Sequence, residues 1–145
     1  MSNPALPFDV TLHVRDTCFC LHAQRAARVL ARRYDAALRP LGLNNGQFSL
    51  LMSLNRPAPP TIGAIAALLA MDRTTLTANL KPLQRRGLLA VQPDPADRRG
   101  RRLLLTPEGR DLLAAALPVW QQMQAETAQG LADADGVRAA LRRLG

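Results

Sequence analysis

Four arginines, Arg98, Arg99, Arg101 and Arg102, crowd around Gly100 in the stretch PDPADRRGRRLLLTPEG, residues 93–109. Guanidinium groups this close repel one another, and no apolar core gains from them. Beside a duplex the same charges meet phosphates and release counterions. Asp97, two residues before Arg99, is placed to hold that guanidinium through a bidentate pair. A second set lies just upstream, in RTTLTANLKPLQRRG. Leu76, Leu80 and Leu83 recur at spacings of three and four, so they mark the buried face of a helix. Arg73, Thr74, Thr77, Ala78 and Lys81 then fall mostly on the opposite face. Thr75 belongs to the same stretch but reads, taken alone, as an ordinary solvated position. Threonine offers a hydroxyl to bases or phosphates and a methyl to thymine, and arginine grips guanine through two bonds. Thr61, at the start of the preceding helix, completes the candidate contact set. Together these residue types point to double-stranded DNA as the partner.

The charge distribution agrees. The 145 residues carry a formal net charge of +8, and Lys81 is the only lysine. Residues 72–102 hold eight basic residues against three acidic ones, which concentrates the charge in about a fifth of the chain. Such a patch suits a polyanion. Aromatics are only 3% of the residues, which argues against a base-stacking platform for single strands. No Gly-rich phosphate loop or paired-carboxylate motif is present, so no enzyme activity, cofactor or metal is expected. No apolar run reaches the roughly 18 residues that would span a bilayer. The N-terminus lacks a basic segment followed by an apolar one, so the expected location is the cytoplasm.

The elements that must position these residues are helical at both ends. Helical periodicity begins near Asp16, and Phe19, Ala23, Ala26, Ala27, Leu30, Tyr34 and Leu38 form one apolar stripe up to Pro40 and Gly42. Asn44 caps the next helix with Gln47 reaching back, a variant of the capping box. Thr61 caps IGAIAALLA, and Asp72 starts the helix that ends at Gly87. Pro82 lies inside that helix and should tilt its second half. LLAVQ and RRLLL flank the arginine-rich turn as two strands, which places the arginines at the tip of a hairpin. A long helix follows Thr106, broken or bent at Pro118, and a short one covers about Val137 to Leu144. The expected fold is mainly α with a small β-hairpin: a winged helix-turn-helix with N- and C-terminal dimerisation helices. One domain of residues 1–145 is expected, with dimerisation helices at about 16–40 and 107–145 and the DNA-binding part at about 44–105. The apolar faces of the end helices are wide for so small a core, which suggests a two-fold homodimer.

The two cysteines, Cys18 and Cys20, are expected as thiols rather than a structural staple. If Asp16 caps the helix, Cys18 lies in its first turn, a setting that makes thiols reactive. On a continuous helix Cys18 and Cys20 would point about 200° apart and would not bridge each other. Cys18 and His22, four residues apart, share a face and supply two ligands of a weak metal site. For the two cysteines, inert packing, redox or electrophile sensing and metal or metalloid binding all remain open. A winged-helix module that binds protein or RNA is the competing reading of the whole chain.

The wing DPADRRGRRLLLTPEG, the helix MDRTTLTANLKPLQRRGLL and the segment LGLNNGQFSLL resemble the MarR family of bacterial transcription regulators, from about Thr17 to Trp120. Ala78 departs from the basic or polar residue many members have there, and the last helix is short. The resemblance implies an obligate homodimer that binds a pseudo-palindromic operator, usually as a repressor. It also implies release by a small-molecule effector, at the junction of the dimer and DNA-binding parts, or by thiol oxidation. Aligned without gaps, Cys20 falls where the family's peroxide-sensing branch has its reactive cysteine, and Tyr34 matches a tyrosine that contacts the thiolate there. A second tyrosine of that branch is Gln24 here, and matching CF to CF selects Cys18 instead.

Overall fold

Local capping sets most of the helix boundaries. The structure, a computed structural model, describes residues 5–145. Its elements, in order, are α1 (Phe8–Thr17), α2 (Phe19–Leu38), a 3-10 turn (Arg39–Leu41), α3 (Asn45–Ser53), α4 (Ile62–Leu68), α5 (Arg73–Arg85), β1 (Leu89–Asp94), β2 (Asp97–Leu105), α6 (Pro107–Gln129) and α7 (Ala134–Leu144). Asn44 and Gln47 form the full capping box of α3. Thr61, Asp72, Thr106 and Asp133 each accept a backbone N–H at the start of α4, α5, α6 and α7. A short polar side chain satisfies an otherwise orphaned donor at each of these ends.

The described residues form two compact units, 5–33 and 34–145. In the first, one expectation changes. Helix begins at Phe8, well before Asp16, and stops at Thr17. Cys18 is extended, with φ −69° and ψ 111°, and α2 starts after it. Asp16 therefore lies inside α1 and pairs with the neighbouring Arg15, while the Cys18 thiol accepts the Leu21 N–H at 3.4 Å. The 200° separation assumed for Cys18 and Cys20 presupposes one continuous helix, so it does not apply.

The second unit holds the core. Leu38, Leu51, Ile65, Leu76, Leu83 and Leu103 are fully buried, drawn from α2, α3, α4, α5 and β2. Each such side chain contributes about 1.5–3 kcal/mol by leaving water. Leu76, Leu80 and Leu83 form the buried face of α5, as their spacing predicts. Arg86 ties the end of α5 to the turn before α3, its Nη1 donating to the Gly42 carbonyl at 2.8 Å. Neither internal proline ends its helix: α5 continues through Pro82 and α6 through Pro118.

The hairpin differs from expectation in a way that matters for the site. The strands approach so closely that only Pro95 and Ala96 lie between them. Arg98, Arg99, Arg101 and Arg102 belong to β2 rather than to the tip. The pairing passes from Asp94 opposite Asp97 to Pro93 opposite Arg101, so one step on β1 matches four on β2. Arg98, Arg99 and Gly100 are left without partners on β1 in this bulge, which turns a strand outward as bulges do. Gly100 is tight against its surroundings, since a Cβ there would lie 3.0 Å from the Asp94 Cβ.

The hairpin root is fixed to both neighbouring helices. Leu103 donates its N–H to the Pro60 carbonyl, and Thr61 forms a bridge with Arg102. On the other side the Thr106 hydroxyl donates to the Gly87 carbonyl at 2.6 Å and its oxygen accepts the Gly109 N–H. Gly109 lets α6 begin this close, because a Cβ there would fall 2.1 Å from the Leu88 carbonyl oxygen.

Candidate nucleic-acid interface

Asp72 defines where α5 begins. Its carboxylate accepts the Thr75 N–H at 2.8 Å and the Thr75 hydroxyl at 2.7 Å. These bonds, the backbone one first, hold the Asp72 carboxyl below the usual carboxylate range. The Thr75 hydroxyl is thus turned back to the cap, in keeping with its weak candidacy. Arg73, Thr74, Thr77, Ala78 and Lys81 are all exposed and line one shallow groove along α5.

A second groove, of about 300 Å³, runs between α5 and the hairpin. Thr61 and Gly63 line it from the start of α4, Arg73 and Thr77 from α5, and Asp94, Asp97, Arg99 and Arg101 from the hairpin. Thr61, the α4 cap, is half-buried there, its oxygen occupied by the Ala64 N–H. Gly63 was not singled out from the sequence. Its missing side chain makes room for Arg73, whose Nη2 would lie only 2.7 Å from a Cβ at that position. A glycine in the first turn of a capped helix was the available signal.

The arginines of β2 have separate settings. Arg98, Arg99 and Arg101 are exposed. Arg101 Nη1 donates to the Gly100 carbonyl at 2.9 Å, which lays its guanidinium along the bulge. Asp97 does not make the bidentate pair with Arg99 that the spacing suggested; its carboxylate accepts the Arg99 backbone N–H at 3.0 Å. The two residues follow a tight turn, where the carboxylate reaches the amide two positions on more readily than the end of the long side chain. Asp97 therefore orients the Arg99 backbone and leaves the guanidinium to the solvent side. The ion pair at the hairpin is Asp94 with Arg102, Oδ1 to Nε at 3.1 Å. Arg102, part of the basic cluster but not expected to have a positioning task, also donates from Nη1 to the Pro59 carbonyl at 2.7 Å.

The sulfur and histidine candidates Cys18, Cys20 and His22 belong to the first unit. Cys20 is exposed, its Sγ accepting from Gln24 Nε2 at 3.4 Å. His22 Nδ1 lies 2.8 Å from the Cys18 carbonyl oxygen rather than from its thiol. Tyr34 donates its hydroxyl to Gln124 Oε1 at 2.5 Å, tying α2 to α6. Among the described residues no three His, Cys, Asp or Glu side chains are grouped to hold a metal, and no helix is long and apolar enough to cross a membrane.

The arrangement is a helix-turn-helix, α4 and α5, followed by a hairpin that forms a wing, with Arg73, Arg99, Arg101, Thr61 and Thr77 around one groove that Asp94 and Asp97 also line. The sequence profile of the MarR family matches residues 41–100, from the 3-10 turn to the hairpin bulge. The DNA complex of the Mycobacterium tuberculosis transcriptional regulator MosR superposes with a TM-score of 0.81 and 41% identity, covering 88% of this chain and 92% of that one. The transcriptional activatory protein BadR of Rhodopseudomonas palustris is 33% identical over 89 residues, 59% of this chain and 51% of BadR. The Escherichia coli transcriptional regulator HosA is 32% identical over 85 residues, 58% of this chain and 62% of HosA. The chain thus spans between half and two thirds of these two curated relatives. With the wing, the capped helix pair and the MosR fold all in one chain, this protein belongs to the MarR family of winged-helix transcriptional regulators.

Proposed function

We propose that this chain is a sequence-specific binder of double-stranded DNA that acts in the cytoplasm as a homodimeric repressor on a pseudo-palindromic operator. The observation that carries this reading is the groove between Arg73 and Thr77 on α5 and Arg99 and Arg101 on the wing. The exposed face of α5 enters the major groove, where Arg73, Thr74, Thr77 and Lys81 reach base edges and phosphates. The wing arginines, set outward by the bulge, follow the backbone or the adjacent minor groove. A relative at 41% identity solved in complex with DNA supports the same partner here.

Apolar side chains left exposed support the dimer. Val137, Leu141 and Leu144 recur at helical spacing on α7, and Phe8, Val10 and Val14 are exposed on α1. A second copy is the partner that would cover such stripes while matching an inverted repeat. Release follows from a small-molecule ligand or from oxidation of Cys20 or Cys18.

Gel-shift titration against the promoter of its own gene tests the reading. Saturable, sequence-dependent binding with a salt slope equivalent to several phosphates is expected. Binding insensitive to salt and sequence would favour a protein- or RNA-interaction module instead. Cys20→Ser is expected to abolish peroxide-induced release; persistence of release moves the sensor to Cys18 or to a ligand site.

A further inference from the structure

Arg73 opens α5, and Gly63 lies in the first turn of α4. The arginine folds back between them: a Cβ on Gly63 would sit 2.7 Å from Arg73 Nη2 and 3.4 Å from its Cζ. The guanidinium thus occupies space that any side chain at position 63 would take. Backbone conformation does not call for glycine there, since Gly63 is not among the residues with positive φ. Glycine inside a helix is also less favourable than alanine. What Gly63 supplies is room. Among the described residues no hydrogen bond or ion pair engages the Arg73 guanidinium, so its donors stay available.

The place where that guanidinium rests says what it can meet. It lines the groove between α5 and the hairpin, together with Arg99 and Arg101. When a recognition helix enters the major groove and its wing reaches the adjacent minor groove, one sugar–phosphate strand runs between them. That strand lies over this groove. Of the two carboxylates in its wall, Asp94 is paired with Arg102 and Asp97 accepts the Arg99 N–H. Three arginines therefore face the strand with the opposing charge partly neutralised. Thr74, Ala78 and Lys81, by contrast, line only the groove along the outer face of α5. They are the side chains turned toward base edges.

We propose that Gly63 is a positioning residue that lets Arg73 fold into the groove between α5 and the wing. Arg73 there clamps one phosphate strand instead of reading a base, and sequence reading passes to Thr74, Ala78 and Lys81. This divides the roles within the DNA-binding surface proposed above, and it rests on that reading.

Fluorescence anisotropy of the full-length chain tests it, with a duplex from the promoter of its own gene and a scrambled duplex, each at several salt concentrations. Arg73→Ala is expected to weaken both duplexes by about tenfold and to lower the salt slope by about one, leaving their ratio unchanged. Arg73→Lys should keep most of the affinity, because a phosphate accepts a point charge whereas guanine needs the guanidinium fork. Gly63→Ala should show a smaller loss in the same direction, and no further loss in the Arg73→Ala background. Its Tm should equal or exceed that of the unsubstituted chain, since the flexible end of Arg73 swings away and alanine favours the helix.

Unchanged affinity of Gly63→Ala would overturn the positioning role. A loss that persists in the Arg73→Ala background, or a lowered Tm, would make Gly63 merely structural and overturn it too. If Arg73→Ala weakens the promoter duplex alone, Arg73 reads a base and the phosphate assignment falls. An unsubstituted chain that binds neither duplex, or both equally, would instead defeat the sequence-specific DNA-binding reading itself.

Discussion

Arg102 reaches across the hairpin to Asp94, Nε to Oδ1 at 3.1 Å, and with the same guanidinium donates to the Pro59 carbonyl. The Asp94 side chain is only 7% exposed, and its second task, accepting the Ala96 N–H, closes the tip of the hairpin. The pair therefore joins the turn, the strand and the start of α4 in one network. Loosening it would let the wing arginines drift relative to α5. Arg102→Ala is expected to weaken operator binding about tenfold, the equivalent of one charge-assisted hydrogen bond. Asp94→Asn should show a smaller loss, and the double variant should be no worse than Arg102→Ala alone, because the residues act as one unit. Fluorescence anisotropy with a labelled duplex checks all three.

Arg99 is the opposite case, an exposed cation whose backbone, rather than its guanidinium, is held by Asp97. Arg99→Ala should reduce operator affinity and lower the salt slope by about one. The urea midpoint should stay where it is, since no internal contact of that guanidinium is lost. Unchanged affinity would remove Arg99 from the interface.

Acid should loosen α3 and α5. Asp35 accepts both the Asn45 N–H and its Nδ2, each at 2.7 Å. Those bonds, the backbone one first, hold the Asp35 carboxyl below its ordinary range, as similar bonds do at Asp72. A lowered native pKa contributes stability above the unfolded value of about 4 and loses it as pH falls through the native value. Asp35→Ala should lower Tm by about 2–4 °C at neutral pH. That difference should shrink steadily below pH ~4 in thermal melts.

Ala70 is the one non-glycine residue with positive φ among the described residues. Ala70→Gly should raise the unfolding free energy by about 0.5–1 kcal/mol, since glycine adopts this conformation without a Cβ clash. Ala70→Val should lower it by more. Chemical denaturation of both variants reads the sign directly.

Gly109 carries the junction between the wing root and α6. A methyl group there would collide with the Leu88 carbonyl, a backbone atom that cannot rotate away. Gly109→Ala should cost about 1–3 kcal/mol through overpacking. Gly87→Ala is a useful contrast, because its cost comes from φ +74° alone and not from crowding.

The sequence by itself determined what depends on near neighbours. Caps at Asn44, Thr61, Asp72 and Thr106 follow from short polar side chains ahead of apolar periodicity, and those bonds span only three residues. The leucine face of α5, and with it the exposed cationic and hydroxyl face, follows from helical spacing alone. Tertiary structure decided what depends on distant pairing. Whether four arginines occupy a turn or a strand is fixed by register against β1, and a bulge changes that without any local signature. Asp94 finds Arg102, Arg73 settles over Gly63, and Phe48 stacks on Trp120 only because separate elements converge. The break at Cys18 shows the same limit in reverse: Asp16, Thr17, Cys18 and Phe19 have similar, middling helix propensities, so no local signal marks where α1 ends and α2 begins. Local propensity selects the elements, and long-range packing decides which side chains meet.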